Sequence, residues 1–146
     1  MSLNGIHRLR GFTALVLLGI LTFPAVVLAQ ANGERHSTRD GVYSESQARK
    51  GAETFRKNCA ECHAPRSHAG TAFRHAWSGR PVFELYDLIR RTMPSDKPGG
   101  LSRGQYAEIV AYMLRLNGLP AGERALPTDE EALKAILIEI GDPTPP

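Results

Sequence analysis

Several things are scarce in this chain, and each shortage removes a class of explanation. It has two cysteines and one tryptophan in 146 residues, too few cysteines for the dense disulfide framework that staples small secreted domains. No alternation of strand-like and helix-like segments surrounds the cysteines, which argues against a thioredoxin-like redox pair. No run of two-residue alternation marks a strand, and no internal repeat marks a solenoid. A basic patch with interleaved aromatics is also missing, so nucleic acid is not an expected partner. No nucleophile, base and orienting group form a recognisable set, and the chain is not expected to be an enzyme by itself.

What is present begins with a leader. Arg8 and Arg10 precede an uncharged apolar stretch at 11–29 that ends in Val27-Leu28-Ala29. These are the charged region, apolar region and small-residue cleavage site of a secretory signal. The stretch is nearly long enough to span a bilayer, so an uncleaved membrane anchor is the alternative. Pro24 and the polar residues that follow favour cleavage. Either way the remainder is expected to be exported, which in bacteria means the periplasm. Cleavage leaves 117 of the 146 residues and takes the formal charge from +3 to +1, so the basic balance is largely the leader's.

The two cysteines stand in Cys59-Ala60-Glu61-Cys62-His63. C-x-x-C-H is the spacing of covalent attachment to a c-type haem. Each thiol adds to one vinyl group of a single porphyrin, and the adjacent histidine then lies where its imidazole can bind iron. A structural disulfide would also suit an oxidising compartment, but neither it nor a redox pair needs His63. A domain this small has a modest core, so folding and haem binding are expected to be coupled. Iron held by His63 leaves a sixth position, for which Met93, His68 and His75 are candidates. A thioether favours reduced iron, and a second imidazole favours oxidised iron. Met93 sits before a Pro/Gly-rich loop that would project its sulfur. Met113 lies among core residues, where methionine usually fills gaps.

Around the motif the periodicity is helical throughout. Residues 30–43 are polar and aperiodic and read as a flexible lead-in. A helix is expected from Ser44, with a Ser44/Gln47 capping box and Ala48, Gly51, Ala52, Phe55 and Cys59 on one face. Gly51 is costly inside a helix, so another backbone is expected to approach it closely. The segment from Ala64 to Arg80 reads as a loop. A second helix is expected over 81–92 with Pro81 in its first turn. A third has a Ser102/Gln105 box and ends at Asn117-Gly118. A last one is expected over 129–140 with Leu133, Ile136, Leu137 and Ile140 as its apolar stripe. That stripe would either close the protein's own core or dock a partner. The fold class is therefore all-α, with domains at 1–29 (signal), 30–43 (lead-in), 44–118 (core) and 119–146 (extension).

An N-terminal helix ending in C-x-x-C-H, a central helix, a Met-Pro loop and a C-terminal helix resemble class I monohaem cytochromes c. More narrowly, Trp77, Leu85-Tyr86, Arg91-Thr92-Met93-Pro94, Leu101-Ser102, Tyr106-Ala107, Ala111-Tyr112 and Asn117-Gly118-Leu119-Pro120-Ala121-Gly122 are similar to the cytochrome domains associated with bacterial quinoprotein alcohol dehydrogenases. The resemblance implies the cytochrome c fold, three core helices around one covalent haem plus an extension helix. It implies Cys59 and Cys62 as thioether attachments, His63 as proximal ligand, Met93 as distal ligand, and Trp77 as a donor to a haem propionate, with a plain core role for Trp77, its N–H satisfied elsewhere, as the alternative. Arg80, Arg90 and Arg91 are further propionate candidates, with solvated or helix-dipole roles the plainer reading. Ala64 stands where these families usually have glycine, and the loop after it is short. A backbone carbonyl at 65–70 is therefore expected to orient the His63 ring. The implied function is a periplasmic electron carrier between a dehydrogenase donor and an oxidase or cytochrome acceptor. It would meet a membrane only through an uncleaved leader. The alternative is a five-coordinate haem protein, a peroxidase-like enzyme or gas sensor.

Overall fold

A computed structural model describes residues 35–141; the expected leader and residues 30–34 lie outside them. In chain order come strand β1 (His36–Ser37), a 3-10 turn (Thr38–Asp40), helix α1 (Glu45–Asn58) and a second 3-10 turn (Pro65–His68). Helices α2 (Thr71–Trp77), α3 (Val82–Thr92), α4 (Arg103–Leu116) and α5 (Glu130–Lys134) follow, and then strand β2 (Ile136–Leu137). No described helix is long and apolar enough to cross a membrane.

Two helices set the frame. Helix α4 opens with the full expected box: the Gln105 N–H donates to Ser102 Oγ at 3.2 Å and the Ser102 N–H to Gln105 Oε1 at 2.9 Å. Helix α1 makes half of its box, with the Gln47 N–H donating to Ser44 Oγ at 3.2 Å. The Gln47 side chain turns elsewhere. Its amide donates to the Leu126 carbonyl at 3.0 Å and accepts from the Leu126 N–H at 2.7 Å, as a neighbouring strand would. Helices α1 and α4 cross at Gly51, where an added Cβ would overlap the Glu108 backbone carbonyl. This is the close approach that a helical glycine predicts. Phe55 and Tyr112 meet beside the crossing with ring centroids 5.6 Å apart. Helix α3 packs Leu85, Tyr86 and Ile89 into the same core as Tyr106, Ile109 and Val110 of α4.

Three expectations are corrected. The segment after the motif is not all loop, since α2 runs from Thr71 to Trp77. It has a glycine cap with φ of 74° and buries only Phe73, so it is too short to display a period. The lead-in, from residue 35 on, is tied into the fold. Thr38 and Tyr43 are buried, and the Tyr43 hydroxyl donates to the Leu119 carbonyl at 2.6 Å.

The last helix is also much shorter than 129–140. Asp129 caps α5 by accepting from the Ala132 N–H at 2.9 Å, and the chain becomes extended after Ala135. There β2 pairs in parallel with β1, His36 beside Ile136 and Ser37 beside Leu137. The Ile138 N–H donates to the Arg80 carbonyl at 2.9 Å, and the Gly79 N–H to the Ile138 carbonyl at 2.7 Å. Ile136 and Ile138 are buried while Leu137 is half-buried, a two-residue period that suits β-branched side chains. The apolar stripe closes the protein's own core. The all-α class stands, with one small two-stranded sheet among the described residues.

Candidate functional site

The end of α1 delivers the motif. Cys59 caps the helix with its N–H on the Phe55 carbonyl at 2.8 Å. Its own carbonyl accepts from the N–H groups of Cys62 at 3.1 Å and His63 at 2.9 Å. One tight turn therefore presents both thiols and the imidazole together. The cysteines are free, Cys59 half-buried and Cys62 exposed. Burial pushes the Cys59 thiol above its ordinary pKa and so favours the protonated form.

A cavity of about 730 Å³ opens beside this turn. Cys59, Cys62 and His63 line it, together with Trp77 from α2 and Met93 from the end of α3. All five sequence-predicted site residues thus face one space. Phe55, Phe73, Leu85, Ile89, Leu101 and Ile109 supply apolar walls. Met113 reaches the same cavity from α4 and is 5% exposed, in keeping with a core role.

The Met93 loop is held by Tyr106, which the sequence singles out only as part of the family resemblance. The Tyr106 hydroxyl donates to the Met93 carbonyl at 2.7 Å and accepts from the Leu101 N–H at 3.3 Å. It ties together the two ends of the loop from 93 to 101. The only signal in the sequence was a tyrosine, with its polar tip, on a core-facing stripe.

The spare histidines separate. His75 is exposed and lines no part of the cavity. His68 is half-buried and lines it. The His68 ring lies 5.2 Å from the His63 ring and 5.7 Å from Phe55, centroid to centroid. Burial, followed by the nearby His63, pushes its pKa down. Its Nε2 atom is buried with no partner. Asn117 fixes the backbone on either side, donating to the His68 carbonyl and accepting from the Gly70 N–H, both at 3.0 Å.

The expected carbonyl for the His63 ring is not found among the described residues. The Arg66 carbonyl accepts from the Ala69 N–H at 3.3 Å, that of His68 from Asn117, and that of Gly70 from the Arg74 N–H at 3.0 Å. Upstream, Ser67 occupies the Ala64 carbonyl with its N–H at 2.9 Å and its hydroxyl at 2.6 Å. Folding this short loop into a 3-10 turn and a helix start uses the Arg66 and Gly70 carbonyls locally. The arginines are engaged too. Arg80 pairs with Glu84 and stacks 4.6 Å over the Trp77 ring, while Arg90 and Arg91 bind Asp87 at 3.0 and 2.7 Å.

The donor set fits a haem. Among the described residues no three His, Cys, Asp or Glu side chains converge to hold a bare ion. The His63 and His68 imidazoles, the Met93 and Met113 thioethers and two free thiols on a largely apolar cavity suit iron whose remaining ligands come from a covalently tethered macrocycle. In comparison with known proteins, residues 46–113 match a family model described as cytochrome C oxidase, cbb3-type, subunit III. No curated protein matches the chain, and no solved structure does. The matched segment contains the motif, the Met93 loop and most of α4, and it supports a monohaem cytochrome c. The chain has the cytochrome c fold, and the cofactor that goes with that fold is covalently bound haem c.

Proposed function

We propose that the protein is a periplasmic electron carrier. Cys59 and Cys62 would hold one haem c by thioether bonds, and His63 and Met93 would be the axial ligands of its iron. The observation that carries this reading is the single cavity lined at once by the C-x-x-C-H turn and by Met93. Bound haem supplies one-electron cycling between ferrous and ferric iron. The chain's own residues do the rest. The Cys59 turn fixes the spacing of the two thiols, Tyr106 holds the Met93 backbone, and the apolar walls exclude water. Leu88, 46% exposed, and the exposed Cys62 both lie on the cavity lining, leaving an edge for small, transient encounters with redox partners.

The donor in this reading is a dehydrogenase, as the likeness to quinoprotein-associated domains implies, and the acceptor is an oxidase or another cytochrome. Residues 1–29 would be the export signal, 44–118 the electron-transfer core and 119–146 the extension that closes it.

The optical spectrum of the holoprotein tests the ligands. Met93→Ala is expected to remove the weak far-red sulfur–iron band, lower the potential and open the reduced iron to carbon monoxide. Met113→Ala is expected to keep the band. An unchanged spectrum in Met93→Ala would overturn that ligand. Ready carbon monoxide binding by high-spin wild-type protein would instead favour a five-coordinate haem enzyme or gas sensor.

A further inference from the structure

An iron-bound imidazole keeps one N–H facing away from the metal, and its partner sets the ring's orientation and basicity. The carbonyls from 65 to 70 do not accept from the His63 ring, and several are committed elsewhere. Of the side-chain nitrogens and oxygens buried without a partner among the described residues, one belongs to a residue lining this cavity, the Nε2 of His68. A neutral imidazole carries one acceptor nitrogen. Two such rings joined by an N–H···N bond of about 2.9 Å have centroids roughly 5 Å apart when the nitrogens point at each other. The observed separation is 5.2 Å with the planes inclined at 61°.

The position of His68 is itself well determined. Phe55 meets its ring edge-on at 5.7 Å and 78°. Asn117, at the end of α4, grips the backbone of His68 and Gly70 and is anchored in turn on the Met113 carbonyl at 2.8 Å. A helix-anchored clamp therefore holds this buried, unpartnered imidazole beside the candidate ligand.

We propose that His68 is the positioning residue of the haem ligand, accepting the outward N–H of His63 through an imidazole–imidazole hydrogen bond. This rests on His63 binding the iron. In place of a backbone carbonyl, the ligand is oriented by a side chain that can be exchanged without altering the loop. Accepting that N–H gives the ligand imidazolate character, which stabilises ferric iron and lowers the potential.

The test uses reduced, diamagnetic holoprotein labelled with nitrogen-15 in its histidines. A through-bond nitrogen–nitrogen coupling between the two rings is expected, with the His63 N–H protected from solvent exchange. His68→Phe keeps an aromatic ring against Phe55 and is expected to abolish the coupling, speed that exchange and raise the potential. His68→Gln, which restores an acceptor oxygen, is expected to bring the potential part of the way back. A haem-shifted His63 ring with no coupling in wild type, or an unmoved potential in His68→Phe, overturns the inference while leaving the ligand assignment intact. A His63 ring without haem shifts overturns the ligand assignment itself and the inference with it. The coupling is read on the wild-type protein, so it decides even where a variant fails to fold.

Discussion

Gly51 is the residue on which the geometry of the core turns. Glycine inside a helix costs about 0.5–1 kcal/mol relative to alanine, so an exposed Gly51 would be improved by replacement. Here the Glu108 backbone occupies the space a Cβ would take, and a carbonyl in a helix cannot step aside as a flexible side chain can. Gly51→Ala is expected to push α1 from α4 and destabilise the holoprotein by roughly 1–3 kcal/mol, the range for overpacking a filled site. The midpoint of urea unfolding checks this, and an increase would mean that the crossing has slack. Gln47 shows the opposite behaviour. Its position predicts a cap for α1, yet its amide is spent on Leu126, because pairing both groups of a buried backbone unit outweighs closing an exposed box.

At the scale of elements, the loop from Met93 to Leu101 has few anchors of its own, and Tyr106 supplies the main one. Tyr106→Phe keeps the ring in the core but leaves the Met93 carbonyl without its donor. The expected loss is about 1–3 kcal/mol. With Met93 as the proposed ligand, carbon monoxide should also capture the reduced iron faster, because a looser loop would release the sulfur more often; stopped-flow mixing reads that rate. An unchanged capture rate would show that the loop is held by other means.

The end of the chain gives a second test. Ile138 is fully buried on the extended segment after α5, so Ile138→Ala should cost about 2–5 kcal/mol. The same truncation at the half-buried Leu137 should cost less. Equal, negligible losses at both sites would return this segment to the role of an exposed docking stripe. Thermal unfolding of the two variants distinguishes the outcomes.

Across the whole molecule, the segments before α1 and after α4 form a belt that joins the two ends of the described chain. Ser37 donates to Glu139 at 2.8 Å, and the Glu139 N–H donates to the Thr38 hydroxyl at 2.9 Å. Tyr43 reaches the Leu119 carbonyl, and the Gly122 N–H returns to the Tyr43 carbonyl at 2.7 Å. Burial, then the charge of Glu45, raises the Tyr43 phenol above its ordinary pKa of 10.0, with Arg115 opposing. The folded state thus prefers the neutral phenol that donates this bond. Its contribution is fully present below the unfolded pKa of about 10 and is lost as pH rises through the higher folded value. The stability advantage of wild type over Tyr43→Phe should therefore be constant near neutrality and shrink above about pH 10. Unfolding midpoints of the two proteins across that range check it, and an advantage that grew with pH would reverse the sign.

Chemistry and helical periodicity were legible in the chain itself. C-x-x-C-H needs only neighbouring residues, and α1, α3 and α4 are long enough for a stripe to repeat and for caps to bracket it. What depends on partners far away in sequence was not legible. Helix α2 is too short to show a period, and Gln47 chose its bond by what lay opposite. The ILIEI segment at 136–140 suits a helix by spacing and a strand by β-branching. Arg80 and His36 settle that ambiguity through their backbone bonds. The cavity is likewise a tertiary product, since His63, His68, Trp77 and Met93 meet only after α1 and α4 cross. Local pattern names the candidate groups for holding a haem; long-range packing decides which of them face one cavity.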